Sequence, residues 1–222
     1  RDSGIAWLGL ARVQRLLGNT EEATETLTRA RRLLPDEDPS AAAESALLCL
    51  DKGDLEGATQ HIDAASIRGE GAIVSYVRGN IAARQGHLRS ALTYFDEAIQ
   101  IDPTHVRARL NRTSIHMANE DAQSALDDAK VLLELAPGLA LAKLRRAEAN
   151  MMLSNWDEAK DDLEQIVEDA PHHHHALTQL ASCFMAMDRP EKAEAPLNEA
   201  LRLAPDHTEA WHQRGLLYLD WA

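Results

Sequence analysis

The chain has 222 residues, of which 45% are hydrophobic but only 4% aromatic, and its net charge is −13, from 36 acids against 23 Lys and Arg. That balance disfavours nucleic acid and anionic lipid as partners, and no basic run of the kind that tracks a phosphate backbone occurs. No apolar run approaches the roughly 18 residues of a membrane helix, so direct membrane insertion is not expected. Ala and Leu carry most of the apolar content, and no run of β-branched residues bounded by turns signals a strand. Cys49 and Cys183 are too far apart in the chain to bond within one array, and neither belongs to a CxxC pair, so both are expected to be small core residues. The chain opens on Arg1 without a methionine or signal peptide and reads as a piece of something longer.

In chain order, one stencil of small and large residues recurs. Residues 4–37 supply Trp7, Leu10, Ala11, Ala23, Leu27, Ala30 and Pro35. Residues 39–71 keep Gly53, Ala58 and Ala65 in register but carry Glu70 where a proline is due, and an extra residue near Asp36 to Asp38 is offset by a shorter turn near Gly69 and Gly71. This degenerate copy is expected to form its helices with an altered crossing angle or higher mobility at the joint. Residues 72–105 supply Gly79, Ala91, Phe95, Ala98 and Pro103, and the stretch GHLRSALTYFDEAIQIDP, 86–103, is the clearest second helix of a hairpin. Residues 106–139 keep Ala125 and Pro137, with Ala129 and Leu132 at the packing positions. Residues 140–173 supply Ala147, Ala159, Leu163, Ile166 and Pro171, and 174–207 supply Leu180, Ala181, Phe184, Ala193, Leu197, Ala200 and Pro205. Residues 208–222, with Trp211, Gly215 and Tyr218, make one more first helix, expected to act as a cap. Pro35, Pro103, Pro137, Pro171 and Pro205 all fall on a 34-residue ladder, a period that marks a stacked-repeat protein rather than a single-core domain.

On these residues the chain resembles the tetratricopeptide repeat family over nearly its whole length. The resemblance implies an all-α fold, a right-handed superhelical solenoid of helical hairpins, with 1–222 as a single array. It also implies that the first helix of each hairpin lines a concave groove. The groove positions implied are Tyr76, Asn80 and Arg84, then Arg107, Leu110, Asn111, Ser114 and Met117. Leu141, Leu144, Arg145, Glu148, Met151 and Met152 follow, and then His175, Thr178, Gln179, Ser182 and Met185. The family's carboxylate clamp for peptide C-termini is matched only by Asn80, Asn111 and Arg145. Tyr76 and Leu141 stand where lysines are needed, and losing both cations removes most of the charge that would hold a carboxylate. A groove whose Asn side chains hydrogen-bond the backbone of an extended peptide is the more plausible form, because an amide both donates and accepts. The partner-binding residues expected are therefore Tyr76, Asn80, Arg107, Asn111, Met117, Leu144, Arg145 and Met151.

Other constellations have bland readings beside the sharp ones. Arg78, Arg112, Arg146 and Arg214 repeat on the same ladder, with Asp128 and Asp162 sixteen residues after two of them, and read as structural pairs inside hairpins more than as an anion stripe. Arg107 and Arg145 could make the middle groove locally basic and favour acidic or mixed partner segments. Met117, Met151 and Met185 suit a variable apolar ligand and half-buried helix packing equally well. The run His172 to His175 sits at a repeat junction; His105 and His207 share the junction position of His173, which suggests ordinary turn chemistry. Adjacent histidines point apart, so ligation by the run alone is awkward. No phosphate loop, nucleophile elbow or zincin motif occurs, and no catalytic residue, metal or cofactor is expected. The function expected is a protein–protein interaction scaffold or adaptor, binding a peptide segment of another protein. The alternatives are a substrate-recruiting arm of a larger glycosyl- or sulfotransferase-type enzyme, and a structural scaffold in a bacterial envelope or polysaccharide-export assembly. Self-association and the compartment, cytoplasmic or periplasmic, are left open.

Overall fold

A computed structural model of the chain describes residues 3–35, 38–66 and 71–220. Among them are thirteen helices and no strand. They are α1 (Gly4–Leu16), α2 (Thr20–Leu33), α3 (Ser40–Asp51), α4 (Leu55–Ser66), α5 (Ala72–Arg84), α6 (Leu88–Ile101), α7 (Val106–Ala118), α8 (Ala122–Leu135), α9 (Ala140–Met152), α10 (Trp156–Asp169), α11 (His174–Ala186), α12 (Pro190–Leu203) and α13 (Thr208–Asp220). Each of the six repeat windows read from the sequence holds one pair of helices. None of the helices is long and apolar enough to cross a membrane.

The turn inside each pair is three residues long, and its middle residue is left-handed. Gly18, Gly53 and Gly86 take φ of 81°, 78° and 78°, which glycine adopts at no steric cost. The equivalent places in the later pairs are held by Glu120, Ser154 and Asp188 at φ of 60°, 60° and 57°. A side chain there costs on the order of 1 kcal/mol per turn, a strain that the packing of the hairpins must over-determine. Between pairs, the histidine before the next helix serves as a cap: His105 Nδ1 accepts the Ala108 N–H at 3.1 Å and His173 Nδ1 accepts that of Ala176 at 3.1 Å. A helix start leaves its first N–H groups without intrahelical partners, and these imidazoles satisfy one each.

The chain divides into two compact units, 1–112 and 113–222, with the division inside α7. In unit 1, Ala91, Phe95 and Ala98 of α6 are fully buried, and α5 meets them with Gly79, where a Cβ would stand 2.5 Å from the Phe95 ring. Small faces large, and the helices approach closely because of it. In unit 2 one apolar cluster runs from Leu144 through Leu163, Ile166, Leu180 and Leu197 to Leu217. A larger residue in either register should overpack it: Ala91→Leu and Ala159→Leu are each expected to cost about 1–3 kcal/mol. Urea unfolding followed by circular dichroism checks this, and unchanged midpoints for both variants would overturn the register.

The second repeat forms both of its expected helices, α3 and α4. Residues 67–70, which include Glu70 in the proline slot, lie outside the described residues. Its first helix, α3, is nevertheless among the most enclosed, burying Ala41 to Leu48 and Leu50. Glu44 is buried with them and receives Arg15 Nε at 2.6 Å and Arg12 Nε at 3.1 Å from α1, while Arg15 Nη1 reaches Asp51 at 2.8 Å. Burial works against the Arg15 charge, yet the bonds to Glu44 and Asp51 leave its pKa raised. At the other end, α13 leaves Trp211, Tyr218 and Leu219 exposed, an outer face more apolar than the polar one a terminal repeat normally carries.

Candidate partner-binding faces

The expected contact residues divide between the two units. In unit 1, Asn111 Nδ2 donates to Asn80 Oδ1 at 2.6 Å, tying the first half of α7 to α5, and both side chains stay half-exposed. The bond uses one donor and one acceptor of each possible set, and a primary amide has more of both. Arg107 is also half-exposed. Tyr76 is not: it keeps 7% of its surface, with its ring 4.9 Å from that of His105 and 6.2 Å from that of Phe95. An aromatic ring at that position fills space between helices instead of presenting a face to a peptide. Burial also lowers the pKa of His105, despite the nearby Asp102.

In unit 2, Leu144 is buried to 7% within the large apolar cluster, so it too is a packing residue. Met151 and Met185 are partly buried against the same cluster, and Met117 against a smaller one of Ala125, Leu126 and Ala149. The methionine ladder is thus half-buried packing with an exposed edge. Arg145 is half-exposed, but Nη1 donates to Glu148 at 2.6 Å, and its charge is matched inside the chain. Local basicity from Arg145 is offset accordingly.

Glu148 is the centre of a network the sequence reading had only as separate groove positions. Besides Arg145, its carboxylate accepts from Gln179 Nε2 at 3.3 Å and lies 3.5 Å from His175 Nε2. Burial pushes against its ionisation, but the bonds from His175, Arg145 and Gln179 hold it below the usual carboxylate range. His175 is raised in turn, chiefly by Glu148, with burial opposing and Glu209 assisting. His175 and Glu209 occupy the same place in successive windows, one residue into α11 and α13, and that spacing was the available signal.

Three members of the arginine ladder have partners within the chain. Arg146 makes a two-pronged pair with buried Asp162, at 2.7 and 2.6 Å, inside one hairpin. Arg112 reaches back to Asp96 at 2.6 Å. Arg214 lies over the Trp211 ring at 4.1 Å, a cation–π contact.

These helix pairs, their fixed turns and the small-to-large interlocks define a stacked helical-hairpin repeat protein. Three tetratricopeptide repeat family models match residues 5–36, 72–105 and 151–215, together more than half of the chain. The chain belongs to the tetratricopeptide repeat family. Among solved structures it is similar to PilF of Pseudomonas aeruginosa, at 18% identity over 96% of this chain and 96% of that one, with a TM-score of 0.79. A chain of the APC/C hetero-tetramer Cut9–Hcn1 aligns at 17% identity over 97% of this chain, TM-score 0.78, and this chain spans 42% of its length. YrrB, a TPR protein with an unusual peptide-binding site, aligns at 22% identity over 85% of this chain and 97% of that one, TM-score 0.72. At such identities the likeness is one of fold. No curated protein matches the sequence.

Proposed function

We propose that the protein is an interaction scaffold that holds a peptide segment of another protein against the first helices of its hairpins. The observation that carries the reading is the half-exposed Asn80–Asn111 amide pair, its members hydrogen-bonded to each other and with spare donors and acceptors of the kind an extended backbone needs. Arg107 stands near it in sequence as a half-exposed cation. In unit 2 the exposed edges of Met117 and Met151 would take apolar side chains, with Arg145 as a polar contact whose charge Glu148 already matches. Tyr76 and Leu144 would support these faces from behind. Because Arg145 is paired, the segment favoured is polar or mixed more than strongly acidic. YrrB, of the same fold, has a peptide-binding site by its description, which supports a peptide as the ligand class.

The test is affinity capture on the intact 222-residue chain and on the Asn111→Ala/Arg145→Ala double variant, with captured proteins identified and their affinities measured. Loss of at least about tenfold in affinity is expected, from about 1 kcal/mol or more per lost polar contact, with little change in melting temperature since both side chains are half-exposed. Equal affinity for both forms would move the site away from these helices. A transferase or an envelope component among the captured proteins would instead favour the recruiting-arm or envelope-scaffold reading.

A further inference from the structure

We propose that His175, His207 and Glu209 form a binding site for one divalent transition-metal ion of the zinc type. His175 stands one residue into α11, His207 immediately before α13, and Glu209 one residue into α13, all in unit 2. One ligand atom from each lies within 4.8 Å of the others, and His175 Nδ1 and Glu209 Oε2 are already 3.7 Å apart. Around a tetrahedral zinc, with bonds of about 2.0–2.2 Å, ligand atoms sit about 3.3 Å from one another. The contraction required is at most about 1.5 Å, shared between small side-chain rotations of the exposed Glu209 and the two histidines.

Two further observations point to a ligand. His207 Nε2 is fully buried and has no hydrogen-bond partner, and a buried polar atom left so requires a reason. The other edge of His175 faces a carboxylate: Nε2 lies 3.5 Å from Glu148, toward which it points its N–H when Nδ1 is turned to the site. A carboxylate behind an imidazole, with the opposite nitrogen turned to the site, is the usual support for a metal-bound histidine. Two imidazoles and one carboxylate suit zinc and its neighbours, while calcium and magnesium call for all-oxygen sets. Three protein ligands leave a fourth position for water or a side chain of a partner. Of the run His172 to His175 only His175 takes part; His173 caps α11, and the His174 ring packs edge-on against His207 at 4.8 Å.

The experiment titrates Zn2+ into the untagged 222-residue chain by calorimetry with chelator competition, and records the visible spectrum of the Co2+ form. One equivalent is expected to bind, with Co2+ giving the intense bands of a four-coordinate site. His207→Ala and Glu209→Gln should each weaken Zn2+ binding at least about tenfold, and Glu148→Gln by about tenfold through the lost support. His172→Ala/His212→Ala, which removes two exposed histidines nearby, should bind as the parent does. Glu209 is exposed, so its variant folds and carries the test if His207→Ala does not. Loss of affinity in the His172/His212 variant, or unchanged affinity in Glu209→Gln, would mean adventitious binding at surface histidines and overturn the site.

Discussion

Phe95→Ala is expected to destabilise unit 1 by about 3–5 kcal/mol, the range for removing a fully buried aromatic side chain from a packed core. Phe95 is completely enclosed in α6 and is the large partner of Gly79 on α5. A Cβ at Gly79 would stand 2.5, 2.6 and 3.0 Å from three atoms of its ring, so the helices approach as closely as this interlock allows there. Gly79→Ala should therefore cost about 1–3 kcal/mol by overpacking even though alanine is the better helix former by about 1 kcal/mol. The two changes share a contact and should not add: Phe95→Leu ought to recover part of the Gly79→Ala loss. Urea unfolding of the four proteins gives the cycle, and amide exchange in α5 and α6 locates it. Simple additivity, or a Gly79→Ala variant as stable as the parent, would refute the interlock.

The second large effect is electrostatic. Glu44→Ala is expected to cost about 3–5 kcal/mol, because it removes the acid and leaves a buried cation short of its partner. Glu44 is 2% exposed and the Arg15 side chain 8%, at a separation of 2.6 Å, and among the described residues Asp51 alone would remain to Arg15. Arg12, the other partner, is 35% exposed and stays solvated without Glu44, so Arg12→Ala should cost about 1 kcal/mol or less. Replacing Arg15 and Glu44 together by leucine and methionine should be far milder than Glu44→Ala, since an apolar pair avoids the desolvation of both charges. Denaturant midpoints for these variants decide the matter. A Glu44→Ala protein no weaker than Arg12→Ala would show that the pair contributes nothing to holding α1 on α3.

Both effects bear on function through the same geometry. Within each unit, the first helices that carry Asn80, or Arg145 and His175, rest on the packed residues behind them. Loosening α5 against α6, or α1 against α3, would be expected to blur the faces a partner meets, even where no contacting residue changes.

The repeat pattern itself was legible in the chain. Each hairpin encodes its own packing within a window of 34 residues: an Ala or Gly faces a large residue a fixed distance on, and a proline or glycine marks the turn. Those signals are local, and local signals survive translation into helices such as α5 and α6 almost unchanged. The positions of Asn80, Asn111 and Arg145 on first helices follow from the same period. Other features were not written locally. Glu44 looked like one more polar residue in a weak repeat, and only the packing of α3 on α1 makes it a buried counter-ion. Tyr76 and Leu144 stand at groove positions by count, yet their neighbours enclose them. Glu120, Ser154 and Asp188 carry no mark of a left-handed turn, because the conformation is imposed by the helices they join. Glu148, His175, His207 and Glu209 come together only across successive repeats. The sequence sets which residue occupies each register, but the distance between registers on neighbouring hairpins is fixed by how side chains interlock, and that is a property of the folded stack.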